Sequence, residues 1–123
     1  MVIPSERVER GSQRLRAADR IRDARDYARS RANGRRLSSS TLTVELTRDG
    51  TRSRLGLVVS RKVGGAVTRN RIKRRVREWF RRNRAALLEH ADLVVIPRKQ
   101  SATLGTRELW RELDALVARG ARR

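Results

Sequence analysis

One stretch of sequence, Arg61 to Arg84, restricts this chain more than any other. It holds eleven basic residues, at 61, 62, 69, 71, 73, 74, 75, 77, 81, 82 and 84, against one acid, Glu78. From about Thr68 to Leu88 the apolar residues follow the helical period, and Ile72, Val76, Trp79, Phe80 and Leu87 share a stripe roughly 100° wide. The stretch therefore reads as an amphipathic helix, the longest in the chain. Asn70, Lys73, Arg74, Arg77, Arg81 and Arg84 fall on one flank of the stripe, and Arg71, Arg75 and Arg82 on the other. Two basic faces are expected, each able to meet a different anionic surface. Cations on such a helix are ordinarily its solvated side, but here acidic partners one turn away are nearly absent and like charges at that spacing repel. Phosphates lying among the charges would relieve that repulsion.

Composition supports a polyanionic partner. The chain of 123 residues is the size of one domain, and 32 Lys and Arg against 13 Asp and Glu give a formal charge of +19. RNA, DNA and an anionic membrane are the candidate partners. All the basic residues except Lys62, Lys73 and Lys99 are Arg, a bias that suits bidentate phosphate binding and follows equally from GC-rich codon usage. With no Cys and a single His, His90, disulfide frameworks, thiolate metal sites and Cys/His catalysis are excluded. His90 reads as a helix-end histidine rather than a general base. Apolar runs such as Leu55 to Val59 are far shorter than the roughly 20 residues of a membrane span, and Met1 to Pro4 is too short for a signal-peptide core. A soluble, intracellular protein is expected.

Residues 1–18 lack a sustained apolar period and read as a flexible basic arm, with 19–123 as a single domain. From about Asp19 to Ala32 a short helix carries Ile21, Ala24, Ala28 and Ala32 as a weak stripe and stops at Asn33-Gly34. Thr41 to Glu45 alternates, with Leu42, Val44 and Leu46 on one face and Thr41, Thr43 and Glu45 on the other. Leu55 to Ser60 is an apolar run, expected to pair with it as an antiparallel hairpin through a turn at Asp49-Gly50. After the basic helix, Leu93-Val94-Val95-Ile96 is a short buried strand ended by Pro97. Thr106 then caps a last helix with Leu109, Leu113, Leu116 and Val117 inward. The expected class is α+β, a sandwich of a three- or four-stranded sheet with helices. With only four aromatic residues the core must be mainly Leu, Val and Ala.

The run Ser60-Arg61-Lys62-Val63-Gly64-Gly65-Ala66-Val67-Thr68-Arg69-Asn70-Arg71-Ile72-Lys73-Arg74-Arg75-Val76-Arg77-Glu78-Trp79-Phe80-Arg81 closely resembles the signature of the bacterial ribonuclease P protein component. The spacing is held without gaps over about twenty residues. Weaker likeness continues at Arg20-Ile21 with Asp26-Tyr27 and Gly34, at Arg54-Leu55-Gly56-Leu57, and at Asp92-Leu93-Val94-Val95-Ile96 with Arg98-Lys99.

The resemblance implies an α+β sandwich with a left-handed βαβ crossover, a handedness that general rules would not give. It implies a cytoplasmic subunit of a holoenzyme in which a catalytic RNA, with bound magnesium, removes the 5′ leader from precursor tRNA. No catalytic residue is assigned to the protein, metal sites on it are left unspecified, and neither a membrane nor an obligate protein partner is implied. Arg69, Asn70, Arg71, Arg74 and Arg75 match the motif for contacting the catalytic RNA. A cleft between the first helix and the sheet would hold the leader, lined here by Tyr27, Thr43, Glu45, Arg61, Lys62, Asn70, Lys73, Arg77, Arg98 and Lys99. Two positions depart from the pattern: Arg31 and Glu45 stand where aromatic residues are usual. Arg31 could stack its guanidinium on a base, and Glu45 could hold a cation or pair with Arg77 or Lys73. For Tyr27, packing on the sheet as a core aromatic is the competing reading. A ribosomal or ribosome-assembly RNA-binding protein is the alternative function. A membrane-surface helix is disfavoured because the core requires Trp79 and Phe80.

Overall fold

The computed structural model describes residues 19–121 except 22, 49–52 and 88–90, with the backbone alone at 84–87 and 121. The expected arm, the Asp49-Gly50 turn and His90 lie outside the described residues. The main elements run in the order helix α1 (Ala24–Asn33), strands β1 (Arg35–Ser38), β2 (Leu42–Thr47) and β3 (Arg54–Leu57), helix α2 (Ala66–Leu87), strand β4 (Asp92–Pro97) and helix α3 (Thr106–Ala121). The strands form one mixed sheet in the order β1-β2-β4-β3.

That order overturns the expected hairpin. β2 pairs antiparallel with β4, and β3 pairs parallel with β4, so β2 and β3 never touch. The reason is burial: Leu93, Val94 and Val95 are all buried, and a strand apolar on both sides is most stable in the interior of the sheet. β2 finds its second neighbour in β1, whose sequence Arg35-Arg36-Leu37-Ser38 carries a single apolar residue and gives no strand signal.

One face of the sheet carries the core. Leu37, Leu42, Val44, Leu46, Leu55, Leu93 and Val95 pack against Ile72, Val76, Trp79 and Phe80 of α2 and against Leu109, Leu113, Leu116 and Val117 of α3. The expected stripes of both helices are thus inward, apart from Leu87, whose side chain lies outside the described residues. Trp79 donates its indole N–H to Asp114 Oδ1 at 2.8 Å, which satisfies the polar edge of the largest core ring. Gly120 lets α3 come close to the sheet, since a Cβ there would stand 2.8 Å from Leu37 Cδ1. Gly105 rather than Thr106 is the residue before α3, and Glu108 accepts its N–H at 2.9 Å.

α1 covers part of the other face and differs from expectation. It starts at Ala24, where the Asp23 carboxylate accepts from Arg25 N–H, and the preceding Arg20–Ile21 runs beside β3 with Ile21 N–H bonded to Leu55 O at 2.8 Å. Ala24, Ala28 and Ala32 face solvent. Alanine buries too little area to choose a docking face, and charge chooses it instead. Asp92, 2% exposed, accepts from Arg54 at 2.7 and 2.9 Å and from Arg29 of α1 at 3.1 Å, while Arg54 also donates to Asp26 of α1 at 3.1 Å. The bonds to Asp92 are the main cause holding the Arg54 guanidinium above its ordinary pKa.

Candidate RNA interface

The register arranges the α1-facing side of the sheet into three rows. Thr47, Asp92 and Arg54 form the first, under α1; Arg36, Glu45, Val94 and Gly56 form the second; Ser38, Thr43 and Ile96 form the third, and Val58 extends it. Tyr27 lies over the β3 end of the second row. A Cβ at Gly56 would stand 2.9 Å from Tyr27 Cε1, and the Tyr27 hydroxyl donates to Ile21 O at 3.1 Å. The ring is half-buried, so it packs on the sheet and still presents surface beside the third row. Val58, 41% exposed, and half-buried Ile96 leave an apolar floor there, the kind of surface that receives unstacked bases.

Thr43 and Glu45, expected to face outward into the cleft, do lie on this side but are buried. Thr43 Oγ1 shares a hydrogen bond with Ser38 Oγ at 3.0 Å. Glu45 pairs with Arg36 directly across the strands, not with Lys73 or Arg77. The nearest cation in the ladder is one residue spacing away, and this short link outcompetes residues on another element. Arg31 is exposed in the last turn of α1.

Basic residues gather where β3 and β4 end. The 3-10 turns Arg61–Val63 and Lys99–Thr103 pack against each other, bringing exposed Arg61, Lys62 and Lys99 to the same end of the sheet. Exposed Arg98 donates from its backbone to Thr41 O at 2.8 Å and from Nη1 to Ser39 O at 3.1 Å. Along α2, Asn70 and Arg74 are exposed, whereas Lys73 and Arg77 are half-buried. Arg77 has no acidic partner among the described residues, and burial together with the charge of Arg20 lowers its pKa. Two such neighbouring cations form a site that an RNA phosphate would stabilise.

The second basic face expected of α2 is instead a packing flank. Arg71 donates to Ala102 O at 2.9 Å and Arg75 to Leu104 O at 3.1 Å, while the Arg82 guanidinium stands 5.2 Å from the Trp110 ring centre. Trp110 in turn donates to Arg75 O at 3.0 Å. Arg69 similarly donates to Gly64 O at 3.2 Å and holds the loop that enters α2. Helical spacing places these cations correctly around the axis but does not show which flank other elements will cover. Five N–H groups on each guanidinium still leave donors beyond the one used for docking. Sequence reasoning missed Arg20, Arg36, Val58 and Ile96 as site residues: Arg20 fell in the weaker likeness without a role attached, Arg36 lay outside any motif, and the apolar runs concealed that Val58 and Ile96 stand on the open face.

Known proteins decide the family. The ribonuclease P family model matches residues 15–120. The chain belongs to the ribonuclease P protein component family. The ribonuclease P protein component of Syntrophobacter fumaroxidans is 39% identical over 109 residues, 87% of this chain and 92% of that one. The solved ribonuclease P protein of Thermotoga maritima is similar at a TM-score of 0.70 with 36% identity, covering 87% of this chain and 96% of its own. That of Staphylococcus aureus is similar at a TM-score of 0.76 with 28% identity, covering 84% and 95%. In this ribonuclease P protein the family signature forms the first turns of α2 and the loop before it, and no helix of the described residues is long and apolar enough to cross a membrane.

Proposed function

We propose that this ribonuclease P subunit grips two RNAs at once on two surfaces, leaving phosphodiester hydrolysis to the catalytic RNA. The catalytic RNA meets the start of α2, through exposed Asn70 and Arg74 and the remaining donors of Arg69, Arg71 and Arg75. The single-stranded 5′ leader of precursor tRNA runs through the cleft beside α1, over Tyr27, Val58 and Ile96. Arg61, Lys62, Lys99 and Arg98 line one end of its path, and Lys73, Arg77 and Arg20 its β3 edge.

The observation that carries this reading is the seating of Tyr27 on Gly56 beside an open apolar floor, on the side of the sheet opposite the α2 core. Stacked bases contribute about 1–3 kcal/mol each, and the surrounding cations supply a salt-dependent backbone grip. Among the described residues no group of three or more His, Cys, Asp or Glu is placed to hold a metal ion. On the same reading magnesium is held mainly through the RNA, and the holoenzyme works in the cytoplasm, where precursor tRNA is processed.

The test is leader removal from a precursor tRNA by the catalytic RNA at low magnesium, with and without the protein. Stimulation is expected, with tighter binding of leader-bearing tRNA than of mature tRNA. No stimulation, or copurification with ribosomal particles instead of the catalytic RNA, overturns the reading.

A further inference from the structure

Glu45 is 3% exposed and lies on the face assigned to RNA, where an unneutralised carboxylate would repel phosphate. Its partner Arg36 sits opposite it in the β1–β2 register and has a side chain that is 58% exposed. The buried acid thus anchors one edge of the guanidinium and leaves the rest of that plane in solvent. β1 is the outer strand of the sheet, so Arg36 closes the row Arg36, Glu45, Val94, Gly56 at one end, while Tyr27 covers the other. Three strand spacings, about 14 Å, separate the two ends.

We propose that Arg36, held in place by Glu45, is a second stacking contact for the single-stranded leader, receiving one base on its guanidinium plane as Tyr27 receives another. This rests on the leader cleft described above. A guanidinium stacks on bases of any identity and adds a charge near the phosphates, so the contact is tolerant of leader sequence. Glu45 is then a positioning residue: the link to Arg36 sets the plane and neutralises the acid.

The roles separate in holoenzyme assembled with the catalytic RNA, by comparing affinity for precursor tRNA carrying a leader with affinity for mature tRNA. Arg36→Ala is expected to weaken leader-bearing tRNA by roughly tenfold and to leave mature tRNA unchanged. Arg36→Lys keeps the charge but not the plane and recovers little of the loss. Glu45→Gln preserves shape, frees Arg36 and weakens leader binding; combined with Arg36→Ala it adds nothing further. A leader with single abasic positions loses affinity at one position with the native protein and not with Arg36→Ala. Tighter leader binding by Glu45→Gln, or an Arg36→Ala effect that is absent or equal for both tRNAs, overturns the proposal. If Tyr27→Ala keeps its leader-specific loss in that case, the cleft reading survives; if Tyr27→Ala loses it too, both fall. Should Glu45→Gln fail to fold, the exposed Arg36 variants decide alone.

Discussion

The ring of Tyr27 rests on Gly56, and a methyl group there would stand 2.9 Å from Cε1 and 3.1 Å from the hydroxyl oxygen. An aromatic in the first helix and a glycine in a strand are therefore one feature. Gly56→Ala is expected to lift the ring, weaken binding of leader-bearing tRNA several-fold and leave catalytic-RNA binding unchanged. Equilibrium binding with both RNAs checks this, and equal losses for the two would refute it.

Asp92 joins three elements, accepting from Arg54 of β3 and Arg29 of α1 while lying in β4. Asp92→Ala would leave Arg54 partly buried without its main partner, and it is expected to cost about 3 kcal/mol of stability. Urea unfolding measures it. Undocking of α1 should also weaken leader binding before the sheet itself melts.

Arg74 and Arg71 differ in packing although both fall within the family signature. Arg74→Ala is expected to weaken catalytic-RNA binding and lower the salt dependence by roughly one phosphate contact, without loss of stability. Arg71→Ala also removes the bond to Ala102 O and should lower the melting temperature. Salt titrations paired with thermal melts separate the two.

Glu78 is hydrogen-bonded by Arg81 and Arg82, and these bonds, that of Arg81 first, hold its carboxyl below the usual glutamate range. A depressed carboxyl stabilises the fold above its unfolded pKa, and that stabilisation disappears as pH falls through the lower folded value. The group is partly exposed, so the effect is below about 1 kcal/mol. Melting curves across the acid range should fall more steeply for the native chain than for Glu78→Gln; parallel curves would remove Glu78 from the account.

The sequence by itself determined the α+β class, the inward stripes of α2 and α3, and the family, because these depend on periodicity and residue identity within one element. It located the basic residues of α2 around the helix axis for the same reason. Only the tertiary structure decided which of them stay available. The segment Ala102–Leu104 takes up Arg71 and Arg75 and Trp110 of α3 takes up Arg82, and no local period shows where another element will pack. Strand order was decided by burial as well: β4, apolar on both sides, separates β2 from β3 and recruits the polar β1. The cleft followed from that order, since only the β1-β2-β4-β3 register brings Arg36 opposite Glu45 and extends their row to Gly56 beneath Tyr27. The docking of α1 depended on charges distant in sequence, Asp26 and Arg29 with Arg54 and Asp92, whose pairing exists only once the strands have assembled.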